Sequence, residues 1–95
     1  MVRASWYRHG RLTASGEPFR PHGHTMAHKS LPFDTKVMLT NPHTDRSCIV
    51  RVNDRGPNVR GRECDVSLGV AEALGMKRAG VTSLRATILS IPPKG

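Results

Sequence analysis

Aromatic residues are scarce in this chain of 95 residues: Trp6, Tyr7, Phe19 and Phe33 are the whole supply. Stacking platforms for nucleic-acid bases or sugar rings are correspondingly few. Acids are also short, 7 against 15 Lys and Arg, for a formal net charge of +8. A surface that basic suits polyanions; nucleic acid, anionic lipid headgroups and an acidic cell-wall polymer all qualify on charge alone. No helix-turn-helix, zinc-finger spacing or aromatic RNA-binding motif accompanies the charge, so nucleic acid is not the expected partner. No apolar run approaches the roughly 20 residues of a membrane-spanning helix. No leader with a basic start and an apolar middle is visible either, since Met1-Val2-Arg3 runs straight into the first expected strand. Internal repeats, heptads and low-complexity tracts are missing as well.

What is present is dense punctuation. Gly10, Gly16, Pro18, Pro21, Gly23, Pro32, Pro42, Gly56, Pro57 and Gly61 cut the chain into short segments. Short segments between frequent breakers predict a mainly β architecture with many loops. The length predicts one domain over residues 1–95 with a thin core. Strands are expected at Ala4–Tyr7, Lys36–Thr40, Cys48–Val52 and Leu84–Leu89. In the third, Cys48, Val50 and Val52 share one face and Ile49, Arg51 and Asn53 the other. The last alternates in the same way and reads as half-buried. One helix is predicted: Ser67 caps it, Val70, Ala71 and Leu74 form its apolar stripe, and Gly75 closes it. The tail Pro92-Pro93-Lys94-Gly95 ends regular structure. Mostly strands whose edges must be hidden, plus one short helix, suggests a small closed barrel.

Val52-Asn53-Asp54-Arg55-Gly56-Pro57 carries the densest chemistry, because a strand there runs straight into an acid and a Gly-Pro turn. A side chain at the end of a rigid element can be aimed. Glu17, His28 and Asp54 form a constellation suited to glycosidic cleavage. Two carboxylates in unlike environments can divide the acid and base roles, and a histidine can orient one of them or shuttle protons. The plainer readings are a turn residue for Glu17 and a turn cap for Asp54. Arg51 and Arg55 flank Asp54 and are expected to press their charge on it; Arg55 alternatively locks the turn or binds a substrate carboxylate. Asp65 reads as a helix N-terminal charge next to the Ser67 cap. His22, His24 and His28 invite a metal, yet no cysteine or acid completes a standard ligand spacing, and no metal or other cofactor is expected. His9 and His43 read as exposed, and Lys77, Arg78 and Arg85 as a solvated basic face. Cys48 and Cys64 are both expected to face inward, as one disulfide or as two buried thiols.

The order of motifs along the chain resembles the rare lipoprotein A (RlpA) family. The match runs through Ala4-Ser5-Trp6-Tyr7, Thr13-Ala14-Ser15-Gly16-Glu17, Ala27-His28-Lys29-Ser30-Leu31-Pro32-Phe33, Val50 to Pro57, Asp65-Val66-Ser67 and Ala73-Leu74-Gly75. The resemblance implies a six-stranded double-psi β-barrel, a periplasmic or cell-envelope location, and binding of peptidoglycan glycan strands by a monomer. It also implies lytic transglycosylase activity on strands stripped of stem peptides, with 1,6-anhydro ends. A non-catalytic glycan-binding module on the same barrel is the alternative. Carried over by motif, Asp54, His28 and Glu17 become the catalytic candidates, with Asp54 as general acid and then base. Arg55, Tyr7, Ser15 and Asn53 become substrate-binding candidates. Two departures stand out. Arg8 and His9 separate the opening motif from Gly10, and Asp34 stands where a glycine is usual, in a turn that then tests aspartate's tolerance of positive φ.

Overall fold

The computed structural model describes residues 1–93. The predicted strands form where the apolar alternation is cleanest: β1 (Val2–Tyr7), β3 (Lys36–Asn41), β4 (Arg46–Asp54) and β6 (Thr82–Ser90). Two further strands, β2 (Thr25–His28) and β5 (Cys64–Ser67), are only four residues long. The strands close in the order β1-β5-β2-β4-β3-β6, so no edge is left open. β1 runs parallel to β5 and β2 parallel to β4, while the remaining neighbours are antiparallel. The fold is a six-stranded double-psi β-barrel with one short helix.

Inward faces fill the barrel with Met26, Val37, Leu39, Val50, Val52, Val66 and Leu84, each at most 2% exposed. Burying side chains of this size contributes roughly 1.5–3 kcal/mol each. Helix α1 (Leu68–Leu74) seals one end with Val70, Ala71 and Leu74. Its ends follow the predicted caps: the Ser67 hydroxyl accepts from Val70 N, and Gly75 adopts the left-handed conformation at φ 67°. One reading of the strands changes. β6 is not half-buried along its length, because only Leu84 is enclosed while Ile88 and Leu89 are 50% and 47% exposed. The register slips there, Lys36 pairing with Ser90 but Val37 with Ile88, so Leu89 has no partner on β3. Of the predicted tail, Lys94 and Gly95 lie outside the described residues.

Asp34 answers the question its position raised. It sits at φ 69°, in the left-handed region that glycine would occupy without strain.

Candidate functional site

A slipped register builds the site. Along β2 and β4, Thr25 pairs with Arg51 and Met26 with Val52, but Ala27 pairs with Asp54, not with Asn53. Asn53 is the extra residue of a β-bulge, a device that re-aims the side chain after it. Strict alternation would turn Asp54 inward behind Val50 and Val52. The bulge puts it instead on the face of Ala27. On the other flank of β2, Ala27 pairs with Asp65, and Asp65 pairs in turn with Ser5 of β1. Paired residues share a face, so Asp54, Ala27, Asp65 and Ser5 form one row across four strands. The two aspartates flank a methyl group at two strand spacings, about 10 Å between Cα atoms.

Each carboxylate in the row is held by named donors. The Ser5 hydroxyl donates to Asp65 Oδ1. Tyr7, two residues further on the same face, reaches across to donate from its phenol to Asp54 Oδ2 at 3.4 Å. Its ring is stacked on Phe19 with centroids 4.5 Å apart. Burial, then the charge and hydrogen bond of Asp54, pushes the Tyr7 phenol well above its ordinary value, so it stays a donor. Asp54 Oδ1 accepts from the backbone N–H groups of Ala14 and Arg55, both at 2.9 Å. The Ala14 donor belongs to the Thr13–Glu17 loop, which is also tied to β4 by Ser15 N to Asn53 O at 3.2 Å.

Glu17 points elsewhere. Its carboxylate takes both arms of the Arg51 guanidinium, at 2.7 and 3.0 Å, and Arg51 Nη1 also reaches Asp34 at 3.0 Å. The hydrogen bonds from Arg51 hold the Glu17 carboxyl below its ordinary range, with the Asn53 and Ser15 side chains acting in the same direction against desolvation. Glu17 and Arg51 line a groove of about 280 Å³ with Arg20, His24, Thr25 and Asn53. Thr25 Oγ1 and Asn53 Oδ1 are buried without a hydrogen-bond partner among the described residues.

His28 lies on the opposite face of β2 from Ala27, paired with Cys64 and lining an apolar opening with Met26, Leu31 and Leu39. Its Nδ1 accepts from the backbone N–H groups of Ser30 and Leu31 at 3.1 and 3.0 Å, which leaves the proton of the neutral ring on Nε2. Burial first, and then Arg55, pulls its pKa below the ordinary value. Among the described residues no hydrogen bond joins His28 to Asp54, whose partners are Tyr7, Ala14 and Arg55. Arg51 is spent on Glu17 and Asp34, and Arg55 donates to Leu31 O at 2.8 Å while lying 4.1 Å over the Phe33 ring. Arg55 thereby ties the end of β4 to the His28–Leu31 segment.

The family model described as lytic transglycolase matches residues 1–86 of this chain. The chain belongs to that family, as an RlpA-like double-psi barrel. It is 52% identical over 80 residues to a probable endolytic peptidoglycan transglycosylase RlpA of Nostoc, covering 84% of this chain and 22% of that protein. It is 40% identical over 92 residues to the endolytic peptidoglycan transglycosylase RlpA of Vibrio cholerae, covering 94% of this chain and 35% of that protein. The chain thus spans well under half the length of these curated relatives. Among solved structures, Streptomyces papain inhibitor superposes with a TM-score of 0.71 at 18% identity, covering 90% of this chain and 89% of that one, a likeness of fold.

Against the RlpA-like motif set, the barrel brings Asp54, Tyr7 and the Thr13–Glu17 loop together, with Ser15 and Asn53 joined through backbone. It leaves His28 on another face and Glu17 engaged by Arg51. Asp65, read from the sequence as a charge beside the Ser67 cap, also stands in the row with Asp54, and the Ser67 hydroxyl makes the cap. The available signal was Ser5-x-Tyr7 and Asp65-x-Ser67, two alternations that parallel pairing aligns. The three imidazoles scatter: His22 faces Glu72 at 3.7 Å, His24 faces the Cys48 thiol at 3.4 Å, and His28 faces backbone. The disulfide does not form, and Cys48 and Cys64 are free buried thiols. Cys48 lies three residues before the partner of Thr25 and Cys64 pairs with His28, three residues after Thr25. That is roughly 20 Å of strand path, against a Cα separation of under about 7 Å in a disulfide. Burial, then the charges of Asp65 and Glu63, pushes the Cys64 thiol up to about 12, so it stays unreactive.

Proposed function

We propose that this barrel is a peptidoglycan-cleaving lytic transglycosylase domain acting on glycan strands in the periplasm or cell envelope. The observation that carries the reading is the row Asp54–Ala27–Asp65, two carboxylates on one face with only a methyl group between them. Cleavage of a glycosidic bond needs a proton delivered to the leaving oxygen and a group that takes up charge or a proton on the other side of the ring. Asp54 Oδ1 is faced by two backbone N–H groups, which can only donate. That suits Asp54 as the acceptor, and Asp65, held by a single hydroxyl, as the proton donor. This division revises the single acid-then-base role expected of Asp54. In the reaction, the bond from muramic C1 to the bridging oxygen breaks and that oxygen takes a proton from Asp65. The sugar's own 6-hydroxyl closes on C1 and gives its proton to Asp54. No water is consumed and a 1,6-anhydro end remains. The names of the RlpA relatives support the substrate class. The neighbouring groove, with Glu17, Arg20 and Arg51 on its wall, offers polar contacts to an adjacent sugar. Strands lacking stem peptides are the preferred substrate in this reading.

A second reading, a glycan-binding module without catalysis, is favoured by one feature: neither aspartate lines that groove. Incubation with stem-peptide-free peptidoglycan, followed by mass analysis, separates the two. Release of anhydro-ended fragments that Asp54→Asn and Asp65→Asn each reduce by at least about 100-fold supports cleavage. Retention on the polymer without any release supports the binding module, and full activity in both variants sinks the carboxylate-pair mechanism.

A further inference from the structure

We propose that Glu17 is a positioning residue: with Arg51 and Asp34 it forms an ionic latch that clamps the Thr13–Glu17 loop onto β4 and so keeps the Ala14 N–H on Asp54. The inference rests on the reading of Asp54 as a working carboxylate, and it adds the device that holds that carboxylate in aim.

The geometry of Glu17 is that of a clamp. Both of its oxygens are taken by the two nitrogens of one guanidinium, at 2.7 and 3.0 Å. A fork of this kind fixes direction as well as distance. The guanidinium stems from β4, three residues before Asp54 on the same strand. Its Nη1 is shared with Asp34, which sits at a positive φ that a glycine would adopt without strain, so the turn carries backbone strain together with a carboxylate directed at Arg51.

The loop transmits the clamp. Thr13 N and Thr13 Oγ1 both donate to Glu17 O at 2.9 Å, and Gly16 N donates to Thr13 O at 3.0 Å. Thr13 Oγ1 also lies 2.9 Å from Ser15 Oγ. These bonds make residues 13–17 one tight unit, so a backbone shift at Glu17 is carried to Ala14 on Asp54 and to Ser15 on Asn53. Two of the ties to β4 come from loop amides at the acid's end, Ala14 N to the Asp54 carboxylate at 2.9 Å and Ser15 N to Asn53 O at 3.2 Å, and the latch is the third. Without the Ala14 donor, Asp54 keeps only Arg55 N and the long Tyr7 bond.

The test is a double-mutant cycle on the folded domain, read by two signals. Glu17→Gln and Arg51→Met each break the latch, and Arg51→Lys keeps the charge without the fork. Expected rates of anhydro-fragment release fall about 10-fold in Glu17→Gln and in Arg51→Met. The double variant falls no further, because both changes remove the same interaction, and Arg51→Lys is intermediate. Hydrogen exchange is the activity-independent signal: the Ala14 and Ser15 amides exchange about 10-fold faster in both single variants, while the amides of α1 keep wild-type protection. If Glu17→Gln abolishes release while Arg51→Met leaves it near wild type, Glu17 acts on substrate itself and the latch is overturned. Unchanged Ala14 exchange in Glu17→Gln overturns it as well. If the wild-type domain releases nothing, the transglycosylase reading fails on its own, and the exchange data still decide the latch.

Discussion

His28 shows how a single half-buried side chain can couple this barrel to pH. Its Nδ1 accepts two backbone N–H groups, so a proton on that nitrogen must break the turn at Ser30 and Leu31. Burial first, Arg55 next and Lys29 more weakly lower its pKa from the ordinary 6.5, with Glu63 opposing. A lowered folded pKa means that the unfolded chain binds the proton more readily. The stabilisation is fully present above the unfolded value and is lost as the pH falls through the folded one. Urea unfolding at pH 7.5 and pH 5.5 should therefore show wild type losing stability on acidification, and His28→Gln losing less of it. An equal loss in both would assign the pH dependence to other groups. At this scale the sequence exposed residue types well and their partners poorly. Asp54 was legible because it ends an apolar run. The engagement of Glu17 by Arg51 was not, since it joins residues 34 positions apart. The place of Asp65 in the row was not legible, because pairing with β2 and β1 sets it and no local pattern does.

At the scale of the element, Gly69 carries a constraint that helix propensity would never suggest. It lies in the first turn of α1, where alanine should gain roughly 1 kcal/mol. A Cβ there would stand 2.6 Å from the carbonyl oxygen of His22, and Gly69 N also donates to Pro21 O at 2.8 Å. The segment before β2 is thus packed directly on the helix backbone. Neither partner can yield cheaply, and overpacking of this kind costs about 1–3 kcal/mol. Gly69→Ala should lower stability by a net 1 kcal/mol or so, a fall in Tm of roughly 4–8 °C, readable by thermal melting. A raised Tm would show that the contact relaxes freely. The helix itself was legible end to end, since Ser67 and Gly75 are local signals. So were β1, β3 and β4, and along Cys48–Val52 of β4 burial alternates as the pattern said. β2 and β5 were not legible as strands from pattern, because four residues cannot establish a period of 2. The bulge at Asn53 was equally hidden. Its cause is pairing with β2, which no local pattern encodes, yet it decides which way Asp54 faces.

For the whole molecule, the arrangement of charge matters more than its sum. Of the 7 acids, Glu17, Asp34, Asp54 and Asp65 gather around the bulged end of β4 and its neighbours. The remainder of the surface is left more basic than the net +8 implies, with Arg3, Arg8, Arg11, Arg20, Arg60, Lys77, Arg78 and Arg85 all exposed. Under the proposed function, such a field would draw a polyanionic wall polymer toward the barrel from a distance. Long-range attraction is screened by salt, the Debye length falling from about 10 Å at 0.1 M to about 3 Å at 1 M. Hydrogen bonds between sugar hydroxyls and the groove are short and should survive. Co-sedimentation with insoluble peptidoglycan should show the bound fraction dropping at least about threefold from 0.1 to 1 M NaCl, most steeply with polymer still bearing acidic groups. The same titration on Arg20→Ala should start lower and fall less, because that guanidinium lines the groove and joins the basic field. Binding that ignores salt throughout would mean that recognition resides in the groove's neutral contacts, and that the basic surface serves some other partner.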